Sequence, residues 1–222
     1  MKQVLDKGFV DLVDTMGNDL SIVRAARVSY GKDSTDPEKD KKLINFLLKN
    51  DHGTPFEHTS LTFHVKAPIF VTRQWMRHRI GNSFNEISGR YMEMKEEFYI
   101  PSSLRTQIGK NYQYTPLLNS TNGIDKIIKH YETTFKFYKE LLTNGVAKEQ
   151  ARAVLPLGMY TEFYWTVNTR SLMNFITLRL EEHAQEEIRE YARVLLEYFK
   201  ETFPWTCEAF LNKIETKVTN NG

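Results

Sequence analysis

No two of the eleven glycines in this chain stand closer than eight residues, the nearest pair being Gly81 and Gly89. Neither GxGxxG nor GxxxxGKS/T can therefore be written anywhere along it. This excludes the glycine-rich turns that open dinucleotide-binding βαβ units and P-loops. Any phosphate held by this protein must be held by side-chain cations. The 222 residues suffice to bury a large core as one domain. Strand and helix signals follow one another without regular alternation, which points to an α+β fold.

Residues 3–13 partly alternate and read as a strand, and Asn18 or Asp19 caps a helix through LSIVRAARVS. Asp36 and Pro37 supply the N-cap and first position of a helix that turns Leu43, Ile44, Phe46, Leu47 and Leu48 inward and ends near residues 50–53. Thr54-Pro55-Phe56-Glu57 has capping-box spacing. LTFHVK then puts Leu61, Phe63 and Val65 on the buried face of a strand and His64 on its polar face. Pro68 starts a short helix bearing Arg73 and Arg77, residues 77–90 follow as a polar loop, and ISGRY returns as a strand. Residues 101–123, rich in Ser, Asn, Gln, Tyr and Pro, read as an irregular connection. From Asp125 to Thr143 apolar positions repeat at three and four, and Gly145 suits the residue after that helix. KEQARAVL forms a short helix stopped by Pro156, MYTEFYWTV an aromatic strand, and another helix begins at Asn168 or Thr169. Ile188, Tyr191, Leu195 and Phe199 line a longer helix that finishes before Pro204. A single catalytic domain over residues 1–216 is expected, with 217–222 as a frayed tail.

Thirty Lys and Arg against twenty-eight Asp and Glu leave a formal charge of +2. Such a balance argues against the broad basic face that duplex binding needs, so anion binding must be local. Cys207 is the only cysteine, which excludes an intramolecular disulfide framework and every multi-cysteine metal cluster. No run approaches the about 18 apolar residues of a membrane span. MKQVLDKGFVDLVD spreads charges where a signal peptide needs an apolar core. A soluble, cytoplasmic protein is expected.

The segment RHRIGNSFNEISGR, residues 77–90, concentrates the polar chemistry. Arg77, His78 and Arg79 alone can complement a helix C-terminus, at about 0.3–1 kcal/mol each. Ser83, Asn85, Glu86, Ser88 and Arg90 add more donors and acceptors than a structural loop needs. Arginine forks suit phosphates and carboxylates. Arg152 lies in the short helix, and Asn168, Asn174, Arg179 and His183 lie around the helix after the aromatic strand. His52, His58 and His64 lack an HExxH spacing, which argues against a metal. Ser88 with His78 lacks a GxSxG elbow, which argues against a hydrolase. Cys207 has no neighbouring base and reads as a small buried hydrophobe. Two rival readings use the same arginines: a nucleic-acid-binding module with stacking aromatics, and a non-catalytic scaffold held by intersubunit salt bridges.

RHR, a short gap and SFNEISGR together resemble the signature of flavin-dependent thymidylate synthases. HGTPFEHTSLTFHVKAPIFVTRQW, QARAVLP, FYWTVNTRSLMNFITLRLEEHAQEEIREYA and the start through RAARVSY are similar to the same family, so the resemblance covers nearly the whole chain. One departure stands out: the family pattern commonly has seven residues between RHR and Ser, whereas eight separate Arg79 from Ser88. The extra residue falls around Gly81 or Asn82, as a bulge in the loop. The resemblance implies a single α+β domain with a mainly antiparallel sheet packed by helices. It implies transfer of a methylene group from methylenetetrahydrofolate to C5 of dUMP through FAD reduced by NADPH, giving dTMP and tetrahydrofolate. It also implies a homotetramer whose sites are assembled from several subunits; the histidine spacing, charge balance and lack of an apolar run point to no metal, nucleic acid or membrane partner.

Carried over residue by residue, the flavin contacts are Ser29, Thr54, Arg77, His78, Arg79, Glu86, Asn168, Asn174 and His183, with His52 and Glu57 near the flavin or folate. The dUMP contacts are Gln74, Arg77, Glu86, Ile87, Ser88, Gly89, Arg90, Arg152 and Arg179. Anionic ligands account for local arginines in a nearly neutral chain. Cysteine-dependent thymidylate synthases activate uracil C5 with a thiolate, which this chain lacks. The remaining route is a fixed cation beside N3 and O4 that makes C5 more enolate-like, with Arg179 in that catalytic role. Ser88 then binds substrate.

Overall fold

The computed structural model describes residues 1–31, 36–108, 113–117 and 120–220, the side chains at 113 and 217–220 excepted. The chain begins with β1 (Lys2–Val4) and β2 (Gly8–Met16), a hairpin where one strand was expected. Leu5 makes the turn at φ 58, a left-handed conformation of which an alternating pattern gives no sign. The Asn18 side chain accepts from the Ser21 amide at 3.2 Å, and Ser21 Oγ from the Asn18 amide at 3.1 Å, so α1 (Asp19–Arg27) opens on a reciprocal cap. Asp36 and Pro37 open α2 (Pro37–Lys49) as expected. Phe46 departs from expectation, being 54% exposed. The inward stripe is Ile44, Leu47 and Leu48, and Phe46, two residues from Ile44, falls on the opposite side of the helix.

A 3₁₀ turn at Thr54–Glu57 leads into β3 (Ser60–Pro68), then α3 (Ile69–Trp75). Arg77 lies beyond the end of α3, so it does not share that helix with Arg73 as expected. The segment expected as a polar loop contains β4 (Asn82–Glu86). Phe84 turns it into a strand by packing on Trp165 at 6.2 Å between ring centroids, Asn82 Oδ1 accepts from the Trp165 indole, and Ser83 and Asn85 stay exposed at the sheet edge. ISGRY, expected as a strand, is instead turn and irregular backbone: the Tyr91 amide donates to the Ser88 carbonyl at 3.0 Å. Within 101–123, β5 (Arg105–Ile108) and β6 (Gln113–Pro116) pair as a small hairpin, correcting the expected irregular connection. Residues 109–112 and 118–119 lie outside the described residues.

Next, α4 (Thr121–Thr143) starts a turn earlier than expected and lays Tyr131 flat on Phe98, centroids 4.6 Å apart. The expected short helix is α5 (Lys148–Ala151) followed by a 3₁₀ turn at Arg152–Val154. The aromatic strand is β7 (Tyr160–Asn168), and it is followed by α6 (Thr169–Leu180), α7 (Glu186–Thr202) and α8 (Pro204–Asn220). The expected tail begins inside α8, and residues 221–222 lie outside the described residues.

Five strands form one antiparallel sheet in the order β1-β2-β3-β7-β4. Leu61, Phe63 and Val65 of β3 and Phe163, Trp165 and Val167 of β7 face a core closed by α3, α6 and α7. At its centre the fully buried Trp75 meets Trp165, Phe163, Phe175 and Tyr191 at centroid distances of 5.2, 5.5, 4.9 and 5.6 Å. His64 lies on the other sheet face, stacked on Tyr164 and 3.2 Å from a Glu162 oxygen. Among the described residues no helix is long and apolar enough to cross a membrane.

Candidate active site

Trp75 closes α3 inside the core, and the chain emerges from it as Met76-Arg77-His78-Arg79. The His78 amide donates to the Trp75 carbonyl at 3.0 Å, which turns the segment back toward α6. There the His78 ring packs on Phe175 at 4.7 Å, and its Nε2 accepts from Arg179 Nε at 3.0 Å. Arg179 Nη2 also donates to the Gln74 carbonyl at 3.1 Å. Two guanidinium donors are thus committed to protein, and the others have no partner among the described residues. Arg77, His78, Arg79, Asn82, Asn174 and Arg179 border a cleft of about 350 Å³ with no carboxylate among the described residues of its lining. The side-chain chemistry is that of an anion site.

Burial and then the adjacent Arg179 charge push His78 down from 6.5 to about 4, so the imidazole is neutral and can accept from Arg179. Burial also lowers Arg179, which nevertheless stays a cation at any working pH. The sign of the pH effect follows. Between about pH 6.5 and 4 the unfolded chain binds a proton that the folded ligand-free chain refuses, so stability falls as pH drops through that window. A slope worth on the order of 1 kcal/mol is expected, after discounting for a half-exposed ring, and His78→Gln should flatten it in urea titrations at pH 7 and pH 4.5.

Asn168 and Gly81 fix the turn beyond Arg79. Gly81 adopts φ 62, and a Cβ there would sit 2.0 Å from Asn168 Nδ2. The Asn168 amide donates to the Gly81 carbonyl at 3.0 Å, and Ser171 Oγ to the Ile80 carbonyl at 2.7 Å. Asn168 Oδ1 caps α6 by accepting from the Ser171 amide at 2.8 Å. The expected loop bulge is thus a left-handed turn at Gly81, and Asn82 already pairs in register with Val167.

The remaining expected residues fall in separate places within one chain. His52 lines a second cleft of about 300 Å³, which Asn174 also borders. Thr54 and Glu57 lie on the adjoining 3₁₀ turn, where Glu57 pairs with Arg170. At the far end of β4, Glu86 accepts from Thr161 Oγ1 at 2.6 Å, and the Ile87 amide donates to the Glu162 carbonyl at 2.9 Å. Ser88 Oγ accepts from the Arg90 amide at 3.3 Å, Arg90 Nε lies 3.2 Å from Glu149, and a Cβ on Gly89 would meet Arg152 Cδ at 3.1 Å. A five-residue strand separates this second arginine group from the first by roughly 14 Å. His183 borders a third cleft, of about 830 Å³, between the α6–α7 connection and the β5–β6 hairpin. Ser29 is exposed in the 3₁₀ turn at Val28–Tyr30. Gln185, Glu187 and Arg105, which bond to one another next to Gln74, carry no sequence signal that singles them out.

An antiparallel α+β scaffold that lines a cleft with arginines and a neutral imidazole, without a glycine-rich loop, is suited to an enzyme that takes an anionic substrate outside the Rossmann class. Residues 11–205 match the family described as Thymidylate synthase complementing protein, and the chain belongs to that family. It is 56% identical over 213 residues to the flavin-dependent thymidylate synthase of Thermosipho africanus, covering 94% of this chain and 93% of that one. Identity to the flavin-dependent thymidylate synthase of Thermotoga neapolitana is 54% over 208 residues, with 94% and 93% covered. Among solved structures, the UMP/dUMP methylase PolB from Streptomyces cacaoi bound with 5-Br UMP superposes with a TM-score of 0.83 at 39% identity, covering 95% of this chain and 96% of that one. The same methylase bound with 5-Br dUMP gives 0.84 at 38% identity, with 96% and 97% covered. Over nearly its whole length the chain is thus similar to flavin-dependent thymidylate synthases and to a UMP/dUMP methylase.

Proposed function

We propose that the protein makes dTMP from dUMP in the cytoplasm as a homotetramer, with methylenetetrahydrofolate as carbon donor and NADPH as reductant. The observation that carries this reading is Arg179 held at 3.0 and 3.1 Å by His78 and the Gln74 carbonyl, with guanidinium donors left over at the edge of a cleft whose described lining holds no carboxylate. FAD fits the same donor set: Arg77 and Arg79 suit its phosphates, and His78 and Asn174 offer polar contacts beside them. When bound, FAD supplies hydride chemistry that no side chain here can supply.

The chain's own contribution is electrostatic. Arg179, placed beside N3 and O4 of the uracil, stabilises negative character on the ring and enriches C5. Ser88, Gly89, Arg90 and Arg152 form the other arginine group, suited to a nucleotide phosphate. Because a strand's length separates the two groups within one chain, sites built from neighbouring subunits bring them together more readily than a monomer does. The distant Ser29 and His183 favour the same assembly.

Purified protein should be yellow and should release FAD on denaturation. A colourless preparation that also takes up no added FAD sinks the proposal and revives both rival readings. Cys207 provides a control on the chemistry. It is 1% exposed in α8, and burial pushes its thiol up to about 11, so no thiolate is available to attack C6. Cys207→Ala should remain folded and active within about threefold, and a folded but inactive variant would restore covalent thiol catalysis.

A further inference from the structure

We infer that Glu187 is a positioning residue for the nucleotide contact Gln74, acting through Gln185. This rests on the reading of Gln74 as a dUMP contact. Gln74 Nε2 donates to Gln185 Oε1. Gln185 Nε2 in turn donates to Glu187 Oε2 at 2.8 Å. Glu187 is 4% exposed, and its other oxygen accepts from the Tyr99 hydroxyl at 3.2 Å and from Arg105.

The chemistry of these groups fixes a direction along the chain of bonds. A carboxylate can only accept, so Gln185 must turn its NH₂ toward Glu187 and its oxygen toward Gln74. Gln74 must then turn its NH₂ toward Gln185, which leaves its oxygen for a donor on the ligand. A glutamine amide otherwise has two near-equivalent orientations, related by a half-turn. One anchored charge removes that freedom from both amides. The backbone carbonyl of Gln74 accepts from Arg179, so the oriented amide and the proposed catalytic cation belong to the same residue-scale assembly. One carboxylate oxygen of Glu187 answers Tyr99 and Arg105, and the other is the one that orients the amide.

The test compares Gln74→Ala, Glu187→Gln, Gln185→Leu and the double variant Gln74→Ala/Gln185→Leu in the assembled flavoprotein, with dUMP KM, kcat, flavin content and urea midpoint measured for each. Glu187→Gln keeps the shape but can donate, which frees both amides to turn. KM for dUMP should rise about tenfold in Glu187→Gln and Gln185→Leu, with flavin content unchanged and kcat falling less than KM rises. The double variant should be no worse than Gln74→Ala alone, a non-additivity that a general structural defect would not produce. An unchanged KM in Gln74→Ala would remove the underlying reading of that residue. An impaired Gln74→Ala beside normal Glu187→Gln and Gln185→Leu would remove the positioning role instead. Additive losses in the double variant, or lost flavin and lowered midpoint at unchanged KM, would also overturn it. Should Glu187→Gln fail to fold, Gln185→Leu and the double variant decide the matter alone.

Discussion

Arg179→Ala is expected to lower tritium release from C5-labelled dUMP by at least about 100-fold while the purified protein keeps most of its flavin. The size follows from what the side chain does in the fold. Its position is set by two hydrogen bonds, to His78 Nε2 and the Gln74 carbonyl, so the cation is placed before any ligand arrives. A pre-placed charge in a partly dry cleft stabilises developing negative charge without reorganising. Flavin retention follows from Arg77, Arg79 and Asn174, which the substitution leaves in place. Arg179→Lys keeps a charge but cannot make both bonds at once, so an intermediate loss is expected. Ordinary turnover in Arg179→Ala would end the electrostatic account. The alanine variant carries a second readout: with the neighbouring charge gone, His78 should titrate higher than in the parent, as far as burial allows.

The largest stability effect is expected at Trp75. This indole is completely buried and touches four aromatic rings from β7, α6 and α7. Trp75→Ala removes those contacts and leaves a cavity that stiff strands and ring edges cannot fill, at a cost of about 3–5 kcal/mol. Trp75→Phe should cost markedly less, partly because the indole Nε1 has no hydrogen-bond partner to lose among the described residues. Denaturant titration of both variants measures the difference. Trp75→Ala within 1 kcal/mol of the parent would show that the core does not hold this corner, contrary to about 3 kcal/mol or more. Flavin affinity should fall with stability, since the Arg77–Arg79 segment leaves the core at this residue.

The helices and the buried strands were legible because burial is periodic: Leu61, Phe63 and Val65 on β3, and Ile188, Tyr191, Leu195 and Phe199 on α7, are buried as their spacing requires. The Asp36-Pro37 start and the Asn18 cap were legible as local hydrogen-bond chemistry. The edge strand β4 was not, because one face of a five-residue strand meets solvent and only Phe84 marks the other. The first hairpin was hidden for a different reason, since Leu5 occupies a turn position that favours Gly or Asn. At the site, the arginines and the RHR segment could be read from residue type. The meeting of His78 with Arg179, 101 residues apart, is a tertiary fact. So is the Gln74–Gln185–Glu187 series: Gln74 was expected at the site, but Gln185 and Glu187 look like ordinary residues at the start of a helix.

The left-handed corner at Gly81 decides where this polypeptide can change length. Side chains along a strand alternate sides, so an added residue inside β4 would send Phe84 out into water and bring Ser83 or Asn85 against Trp165. A residue gained or lost between Arg79 and Asn82 leaves that alternation intact, because it falls in the turn held by the Asn168 amide of β7 and Ser171 of α6. Indels are therefore admissible on one side of a single peptide unit and ruinous on the other, and loop grafts between relatives should be joined there.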